Sequence, residues 1–266
     1  MNLYVYSLNS SHSNIKVVNY IKKRLLEIYK DLKCIPFDDL NAIDFNSVSI
    51  LIFSGGDGIF NKIVNQTHNY NITYGYIPTG TANDMGHNLG IKSVDKAIDA
   101  IKSGNTYKLQ LLELESNNNI NYFLYAFSIG SMSKIANNAN RKKKKNLGKF
   151  IYILRGCLYL FSKRTKIEYT ISNQKYEKKL RCLIVSRSKY LGGARIKKNY
   201  TNDLLVYRIH NIFNMGMMFI LNKIKTINVN EINIKGNIDT SVDGEKILAN
   251  DVTIRKSNKY INVFKK

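Results

Sequence analysis

Two polar turns carry the residues of this sequence that are best suited to chemistry. The first, Ser54-Gly55-Gly56-Asp57-Gly58, follows the apolar segment 48–53, and Asn61 lies shortly after it. Glycines let the backbone approach an anion closely, and a following helix adds the positive end of its dipole. Because a carboxylate repels phosphate, Asp57 is predicted to hold Mg²⁺ or to orient a polar group. An ordinary strand-to-helix turn is the alternative.

The second turn, Pro78-Thr79-Gly80-Thr81-Ala82-Asn83-Asp84, follows the strand-like segment 73–77. Its hydroxyl and amide side chains suit hydrogen bonding to phosphate or ribose, and Asp84 suits a metal ion. A turn closed by its own polar side chains is the alternative. Open α/β sheets bind ligands outside the carboxyl ends of their strands, so the two turns together predict a phosphate and metal site. We expect both carboxylates to lie in exposed turns.

A third group, Ser241-Val242-Asp243-Gly244-Glu245, lies far along the chain. Asp-Gly between two strand-like segments predicts a tight hairpin turn. Carboxylates on such a rigid hairpin would also suit a general base that accepts a proton from a substrate hydroxyl.

The elements that must position these groups alternate between strand and helix up to about residue 108. Strands are predicted at 3–7, 48–53 and 73–77, and helices at 14–33, 61–67, 84–89 and 93–102. Ser93 can cap the last helix and Gly104 can end it. This alternation predicts a doubly wound α/β domain.

Beyond that point the pattern changes to strands with few helices. Strands are predicted at 107–115, 121–129, 166–171, 178–186, 204–209, 231–234 and 252–254, and helices at 147–161 and 211–224. A mostly antiparallel second domain follows from this pattern, with a boundary near residues 108–120.

Composition narrows the class of protein. The chain has 266 residues and a net charge of +22, which indicates an anionic partner unless the charge is a compositional bias. Three widely spaced cysteines indicate a reducing compartment and no structural zinc. The most apolar window, 213–221, is too short to span a bilayer. We therefore expect a cytoplasmic protein, either soluble or peripherally bound to a membrane.

The three motifs, in this order and spacing, resemble the diacylglycerol kinase catalytic-domain family, especially its soluble bacterial lipid kinases. That family pairs a GGDGT-x-x-E turn with a P-x-G-T-x-N-D turn, which match the two turns above. The likeness continues through Tyr190-Leu191-Gly192-Gly193-Ala194 and Asn202-Asp203 and ends at Val242-Asp243-Gly244-Glu245.

The resemblance implies an α/β nucleotide-binding domain at residues 1–112 and a β-sandwich lipid-substrate domain at 113–266, with the active site in the cleft between them. It implies ATP and Mg²⁺ as cofactors and a lipid hydroxyl, that of diacylglycerol or a related lipid, as phosphoryl acceptor. Glu245 would be the base, Asp57 and Asp84 would organise the metal network, and Asp203 would bind a structural Mg²⁺. The nucleotide-binding residues would be Ser54, Gly55, Gly56, Gly58, Asn61, Thr79, Gly80, Thr81 and Asn83.

The sequence departs from the family pattern at three single positions and at the N-terminal Asn9-Ser10-Ser11, which lacks the usual Asn-Pro. Ile59 stands in place of Thr, Lys62 in place of Glu, and Gln110 in place of an Asp. Losing a carboxylate and gaining a cation beside a magnesium nucleotide can lower activity, so a catalytically degenerate binder of nucleotide and anionic lipid is one alternative. A dinucleotide kinase like the NAD kinases is another. A nucleic-acid-binding module is not expected, because no aromatic and basic recognition motif is present.

The proposed partners are a lipid substrate and an anionic membrane surface. The sequence is compatible with a homodimer and does not fix the oligomeric state. The basic run Arg141-Lys142-Lys143-Lys144-Lys145 precedes the amphipathic segment 147–161. Each basic side chain near an anionic surface contributes about 1 kcal/mol, so this run is predicted to localise the protein reversibly at such a membrane.

Overall fold

The structure, a computed structural model, describes residues 1–8, 12–130, 164–197, 202–219 and 224–266. The chain divides into two units, one of residues 1–110 with 259–266 and the other of residues 111–258. This division groups residues 259–266 with the first unit, whereas the sequence analysis predicted a second domain of residues 113–266. The predicted helix at 147–161, the basic run Arg141-Lys142-Lys143-Lys144-Lys145 and Cys157 lie outside the described residues.

The first unit alternates strands and helices. Its strands are β1 (Asn2–Tyr6), β2 (Leu32–Pro36), β3 (Ile50–Gly55) and β4 (Thr73–Pro78), and its helices are α1 (Ile15–Leu26), α2 (Asp57–Thr67), α3 (Asp84–Asn88) and α4 (Val94–Ser103). Short 3₁₀ helices occupy Phe37–Ala42 and Phe45–Ser47. The strands pair in parallel in the order β2-β1-β3-β4, which confirms the predicted α/β class.

Local sequence explains most of these boundaries. Asn14 caps α1 by accepting the Val17 amide, and Ser93 caps α4 by accepting the Lys96 amide. Gly104 ends α4 in the left-handed conformation, at φ 72°. The predicted helix 14–33 was too long, because its last two residues begin the strand β2 beside β1.

The second unit consists mostly of strands. They are β5 (Thr106–Ser116), β6 (Asn119–Phe123), β7 (Ala126–Gly130), β8 (Thr165–Ile171), β9 (Gln174–Leu180), β10 (Cys182–Ser186), β11 (Tyr190–Leu191), β12 (Ala194–Arg195), β13 (Leu204–Ile209), β14 (Thr226–Val229), β15 (Glu231–Val242) and β16 (Glu245–Phe264), with helix α5 (Ile212–Phe219). The order β14-β13-β10-β7-β15-β16 forms the main sheet, and its pairs are antiparallel. The mostly antiparallel second domain is thus confirmed.

Two predicted strands are each divided in two. The segment 121–129 is interrupted at Leu124 and Tyr125, and the segment 178–186 is interrupted at Arg181. Conversely, the short strands predicted at 231–234 and 252–254 are parts of the long β15 and β16. In the described part of the chain, no helix has both the length and the apolarity needed to cross a membrane.

Strand β16 links the two units along the chain. It begins at Glu245 in the second unit, and its last residues pair in parallel with β4 of the first through Asn262 and Val263. This pairing explains why residues 259–266 group with the first unit.

Candidate active site in two polar turns and a hairpin

The two glycine-rich turns of the first unit lie side by side. They follow β3 and β4, which are paired up to Gly55 and Pro78, and the Thr79 amide donates to the Gly55 carbonyl at 2.9 Å. A Cβ atom built on Gly80 would lie 2.5 Å from the Gly56 Cα, closer than side chains tolerate. Only glycine at position 80 therefore permits this approach of the two backbones.

Helix α2 starts directly at the first turn. Its N-cap is Gly56, in an extended conformation, and it makes no side-chain capping hydrogen bond. An eleven-residue helix that follows two glycines and has a third in its first turn offers backbone amides and a positive dipole end to an anion. The geometry therefore suits a phosphate group.

Asp57 connects the two turns. Its Oδ2 accepts the Asp84 amide at 2.9 Å and its Oδ1 accepts the Met85 amide at 3.0 Å. The carboxylate thus caps the N-terminus of helix α3, and its negative charge interacts favourably with the positive end of the helix dipole. Asp57 and Asp84 are 7% and 1% exposed, so the expectation that both lie in exposed turns is wrong. They are buried because α3 packs back onto the start of α2.

Asn83 closes the second turn from within. It adopts the left-handed conformation, with φ 52°, its Oδ1 accepts the Gly80 amide at 2.9 Å, and its Nδ2 donates to the Gly80 carbonyl at 2.8 Å. Among non-glycine residues, Asn adopts this conformation most readily. The described contacts of Asn83 therefore hold the turn in shape.

Tyr76 is a site residue that the sequence analysis missed. Its hydroxyl lies 3.1 Å from Asn83 Oδ1 and 3.4 Å from Asp57 Oδ1. Burial raises the pKa of Tyr76 well above 10, and the nearby Asp57 raises it further, so the phenol stays protonated and donates. Its ring packs on Phe53 and Phe60, with centroids 5.4 and 5.2 Å away. A tyrosine within a strand carries no sequence signal for this role.

His12 is a second residue that the sequence analysis did not single out. Its backbone amide donates to the Thr79 carbonyl at 2.9 Å, and its Nδ1 lies 3.0 Å from the Gly80 carbonyl oxygen. The segment that follows β1 therefore supports the second turn.

Other predicted nucleotide-binding residues differ in how they are placed. The Ser54 side chain is fully buried, and its hydroxyl lies 2.8 Å from the Tyr4 hydroxyl, within the core. Asn61 Oδ1 accepts from Asn65 along α2 at 3.1 Å. Thr79 and Thr81, in the second turn, are both buried. The glycines and the amides around them are thus the better placed groups for an anion.

The late motif forms a hairpin, as its Asp-Gly pair predicted. Val242 and Glu245 are paired across the turn, and Asp243 and Gly244 have φ angles of 47° and 86°. Positive φ at both central residues defines a type I′ turn. Glu245 is exposed at the start of β16, whereas Asp243 is buried. Asp203 is half-buried directly before β13.

A metal site is not evident from side chains alone. Across the residues that the structure describes, no three or more His, Cys, Asp or Glu side chains are grouped so as to hold a metal ion. Gln110, where the family pattern has an Asp, is half-buried, and Lys62 is exposed on α2.

Comparison with known proteins agrees with these motifs. Residues 38–114, which include both turns, match the family model of the diacylglycerol kinase catalytic domain. A protein of Staphylococcus carnosus (strain TM300), provisionally named a lipid kinase, is 26% identical over 254 residues, covering 82% of this chain and 78% of the relative. A diacylglycerol kinase of Bacillus subtilis (strain 168) is 29% identical over 149 residues, covering 54% of this chain and 48% of the relative. The chain thus spans about half the length of the latter.

Solved structures share the fold. The crystal structure of a diacylglycerol kinase from Bacillus anthracis str. Sterne superposes with a TM-score of 0.78 at 20% identity, covering 100% of this chain and 97% of that one. An NAD kinase from Archaeoglobus fulgidus, solved in complex with ATP, superposes with a TM-score of 0.56 at 13% identity, covering 100% and 94%. The family match and the shared fold together confirm the resemblance seen in the sequence.

Proposed function

We propose, from the premise that residues 38–114 match the diacylglycerol kinase catalytic-domain family, that this protein transfers the γ-phosphoryl group of ATP to a lipid hydroxyl. Diacylglycerol or a related lipid is the proposed acceptor. The observation that carries the proposal is the close approach of Gly56 and Gly80 at the start of α2, within the matched region.

The first unit would bind the nucleotide. Phosphates favour sites where backbone amides and a helix N-terminus converge, and the turn at Gly55, Gly56 and Gly58 provides both. Gly80 and Thr81 belong to the second turn, whose shape depends on Asn83. Asp57 would act by fixing this arrangement, since both of its carboxylate oxygens accept amides of α3.

The second unit would provide the base. In the proposed step, the lipid hydroxyl oxygen attacks the γ-phosphorus and forms a P–O bond. The bond between that phosphorus and the β,γ-bridging oxygen breaks, ADP leaves, and the hydroxyl proton passes to the Glu245 carboxylate. A carboxylate beside a tight hairpin turn suits this role because it is exposed and can be reached by a substrate.

Magnesium enters this proposal through the resemblance alone. Bound with ATP, Mg²⁺ would neutralise charge on the phosphates, and Asp84 and Asp203 are the residues proposed to organise it. The described residues provide no ready-made cluster of ligands, so each step above is assigned to the chain's own side chains and amides.

The acceptor would be reached at a membrane surface. Because its net charge is +22, the protein is proposed to associate peripherally with anionic lipid on the cytoplasmic side of the membrane. The proposal is compatible with a monomer or a homodimer.

Glu245→Gln tests the proposed function. The amide cannot accept the proton, so turnover should fall by about 10²–10⁴-fold while the affinity for ATP stays unchanged. Glu177→Gln is the control, because Glu177 is an exposed glutamate on β9 that pairs with Lys166. Turnover of Glu245→Gln equal to that of wild type would remove Glu245 from the mechanism.

A panel of acceptors separates the remaining alternatives. ADP formation would be measured with diacylglycerol, other lipid alcohols, NAD or no acceptor. Lipid-dependent ADP release supports the lipid kinase, and NAD-dependent release supports the dinucleotide kinase whose fold this chain shares. ATP binding without turnover on any acceptor would mean that Ile59, Lys62 and Gln110 mark a degenerate site.

A further inference from the structure

The tripeptide Leu124-Tyr125-Ala126 consists of the two residues between β6 and β7 and the first residue of β7, and it is buried throughout. Each of its three backbone N–H groups and each of its three carbonyls has a described partner. Irregular backbone inside a protein requires such complete pairing, because each unpaired buried group costs about 1–3 kcal/mol. The described partners are Asp243, at the tip of the β15–β16 hairpin, and Ser186 and Arg187, at the end of β10.

Asp243 binds all three amides of the tripeptide. Its Oδ2 accepts from Leu124 at 2.6 Å, and its Oδ1 accepts from Tyr125 at 3.0 Å and from Ala126 at 3.1 Å. Its own amide donates to the Ala126 carbonyl at 2.8 Å. The side chain is 2% exposed, so these hydrogen bonds form out of contact with water.

Arg187 holds the same tripeptide by its carbonyls. Its Nε and one terminal nitrogen donate to the Leu124 carbonyl at 2.8 and 2.6 Å. The Ser186 hydroxyl, at 2.8 Å, and the Arg187 amide, at 3.2 Å, donate to the Tyr125 carbonyl. Arg187 is 2% exposed, and charged side chains are buried this deeply only when they are well paired.

The proposed base, Glu245, lies next to these contacts in the chain and in the sheet. Glu245 lies two residues after Asp243 and pairs with Val242, which in turn pairs with Phe127, the residue after the tripeptide. The hairpin tip is also held by its own ladder and by the pairing of residues 240–242 with β7. A type I′ turn accepts Asn as readily as Asp, so the turn itself does not require a carboxylate. The carboxylate of Asp243 is needed instead to accept the three amides of the tripeptide.

We propose that Asp243 and Arg187 are positioning residues, which clamp Leu124-Tyr125-Ala126 so that the hairpin presents Glu245 in one fixed orientation. The proposal rests on the proposed function, in which Glu245 accepts the hydroxyl proton. The rate of a catalysed reaction falls steeply when a catalytic group is displaced, by about 10²-fold for a displacement of about 1 Å. A rigid support beneath an exposed base is therefore expected to act on turnover.

Asp243→Asn tests the clamp, because Asn fits the turn but provides one acceptor oxygen in place of two. Exchange of the amides at 124–126 should accelerate by about tenfold or more, measured by hydrogen-exchange mass spectrometry. The kcat should fall by about tenfold or more, with the KM for ATP unchanged. Asp251→Asn is the matched control: Asp251 lies on β16 of the same hairpin, also has positive φ, and accepts a single amide, that of Gly236.

The double variant with Glu245→Gln distinguishes positioning from a merely structural role. If Asp243 acts through Glu245, adding Asp243→Asn to Glu245→Gln should lower kcat no further. An additional full loss in the double variant overturns the proposal, and so does unchanged kcat in Asp243→Asn despite faster exchange. In either of those results Glu245→Gln alone still reports on the proposed function. If Glu245→Gln alone retains turnover, both proposals fail.

A milder variant covers the case in which Asp243→Asn does not fold. Ser186→Ala removes the hydroxyl bond to the Tyr125 carbonyl, leaves the Arg187 amide on the same oxygen, and also removes the acceptor of the Ser188 amide. The kcat should fall by about two- to fivefold, since one hydrogen bond to the tripeptide, of about 1 kcal/mol, is lost, and this fall should disappear in the Glu245→Gln background. An unchanged kcat would contradict the clamp.

Discussion

Replacing Asp57 by Ala should destabilise the first unit strongly. The side chain accepts the amides of Asp84 and Met85 at 2.9 and 3.0 Å, and it is 7% exposed. In the variant, both amides at the start of α3 lose their described acceptor. Water replaces it poorly at a site this deeply buried.

The magnitude follows from those two contacts. Hydrogen bonds to a charged group contribute about 1.5–3 kcal/mol each, so the free energy of unfolding should fall by about 3–6 kcal/mol. Typical domains are stable by about 5–15 kcal/mol, so the loss is a large fraction of the total. With a urea m-value of about 2 kcal/mol/M, the midpoint should fall by about 1.5–3 M.

Urea unfolding followed by far-ultraviolet circular dichroism measures this loss, since the chain contains no tryptophan to report by fluorescence. Asp39→Ala is the control, because Asp39 is exposed in the first 3₁₀ helix. Asp57→Asn, which keeps one acceptor oxygen, should lose about half as much stability as Asp57→Ala. A loss below about 1 kcal/mol for Asp57→Ala would refute the structural role assigned to this carboxylate.

Two further outcomes follow from packing and burial. Gly80→Ala should lower the free energy of unfolding by about 1–3 kcal/mol, since its Cβ would lie 2.5 Å from the Gly56 Cα. Gly56→Ala, whose Cβ would have a closest contact of 3.4 Å, should lose much less stability in thermal unfolding. Equal losses in the two variants would contradict the packing described. Burial raises the pKa of both Tyr74 and Tyr207 to about 12. Their contribution to the free energy of unfolding is therefore complete below pH 10 and is lost between pH 10 and 12, at about 2–3 kcal/mol for each tyrosine. Because the chain has 18 tyrosines, absorbance at 295 nm would be taken as the difference between wild type and Tyr74→Phe or Tyr207→Phe, and it should show these phenols ionising only as the protein unfolds. A difference that develops near pH 10 in folded protein would disprove it.

Local sequence was sufficient wherever a short-range rule decides the structure. The Asp243-Gly244 pair predicted the hairpin because few residues tolerate positive φ in succession. Ser93 and Gly104 bounded α4 because a capping hydroxyl and a left-handed glycine act on adjacent residues. The two polar turns were found in the same way, from glycines that follow apolar strands.

The partners of the buried polar groups were not predictable from the sequence. Asp57 was expected in an exposed turn because its partners, the amides of α3, are backbone groups that every residue carries. Asp243 and Arg187 meet on Leu124, more than sixty residues away from each. The helix prediction overran into β2 because Leu32 and Ile35 continue the apolar pattern of α1, and only pairing with β1 makes them a strand.

The return of β16 to the first unit has a consequence for synthesis on the ribosome. Strand β4 gains its neighbour on that side only when Asn262 and Val263 are available, roughly 180 residues after Pro78. At about 5–20 residues per second, β4 would wait about 10–40 s with an unpaired edge, a state that favours aggregation. The nascent first unit is therefore expected to need protection by a chaperone until residues 262 and 263 have been synthesised.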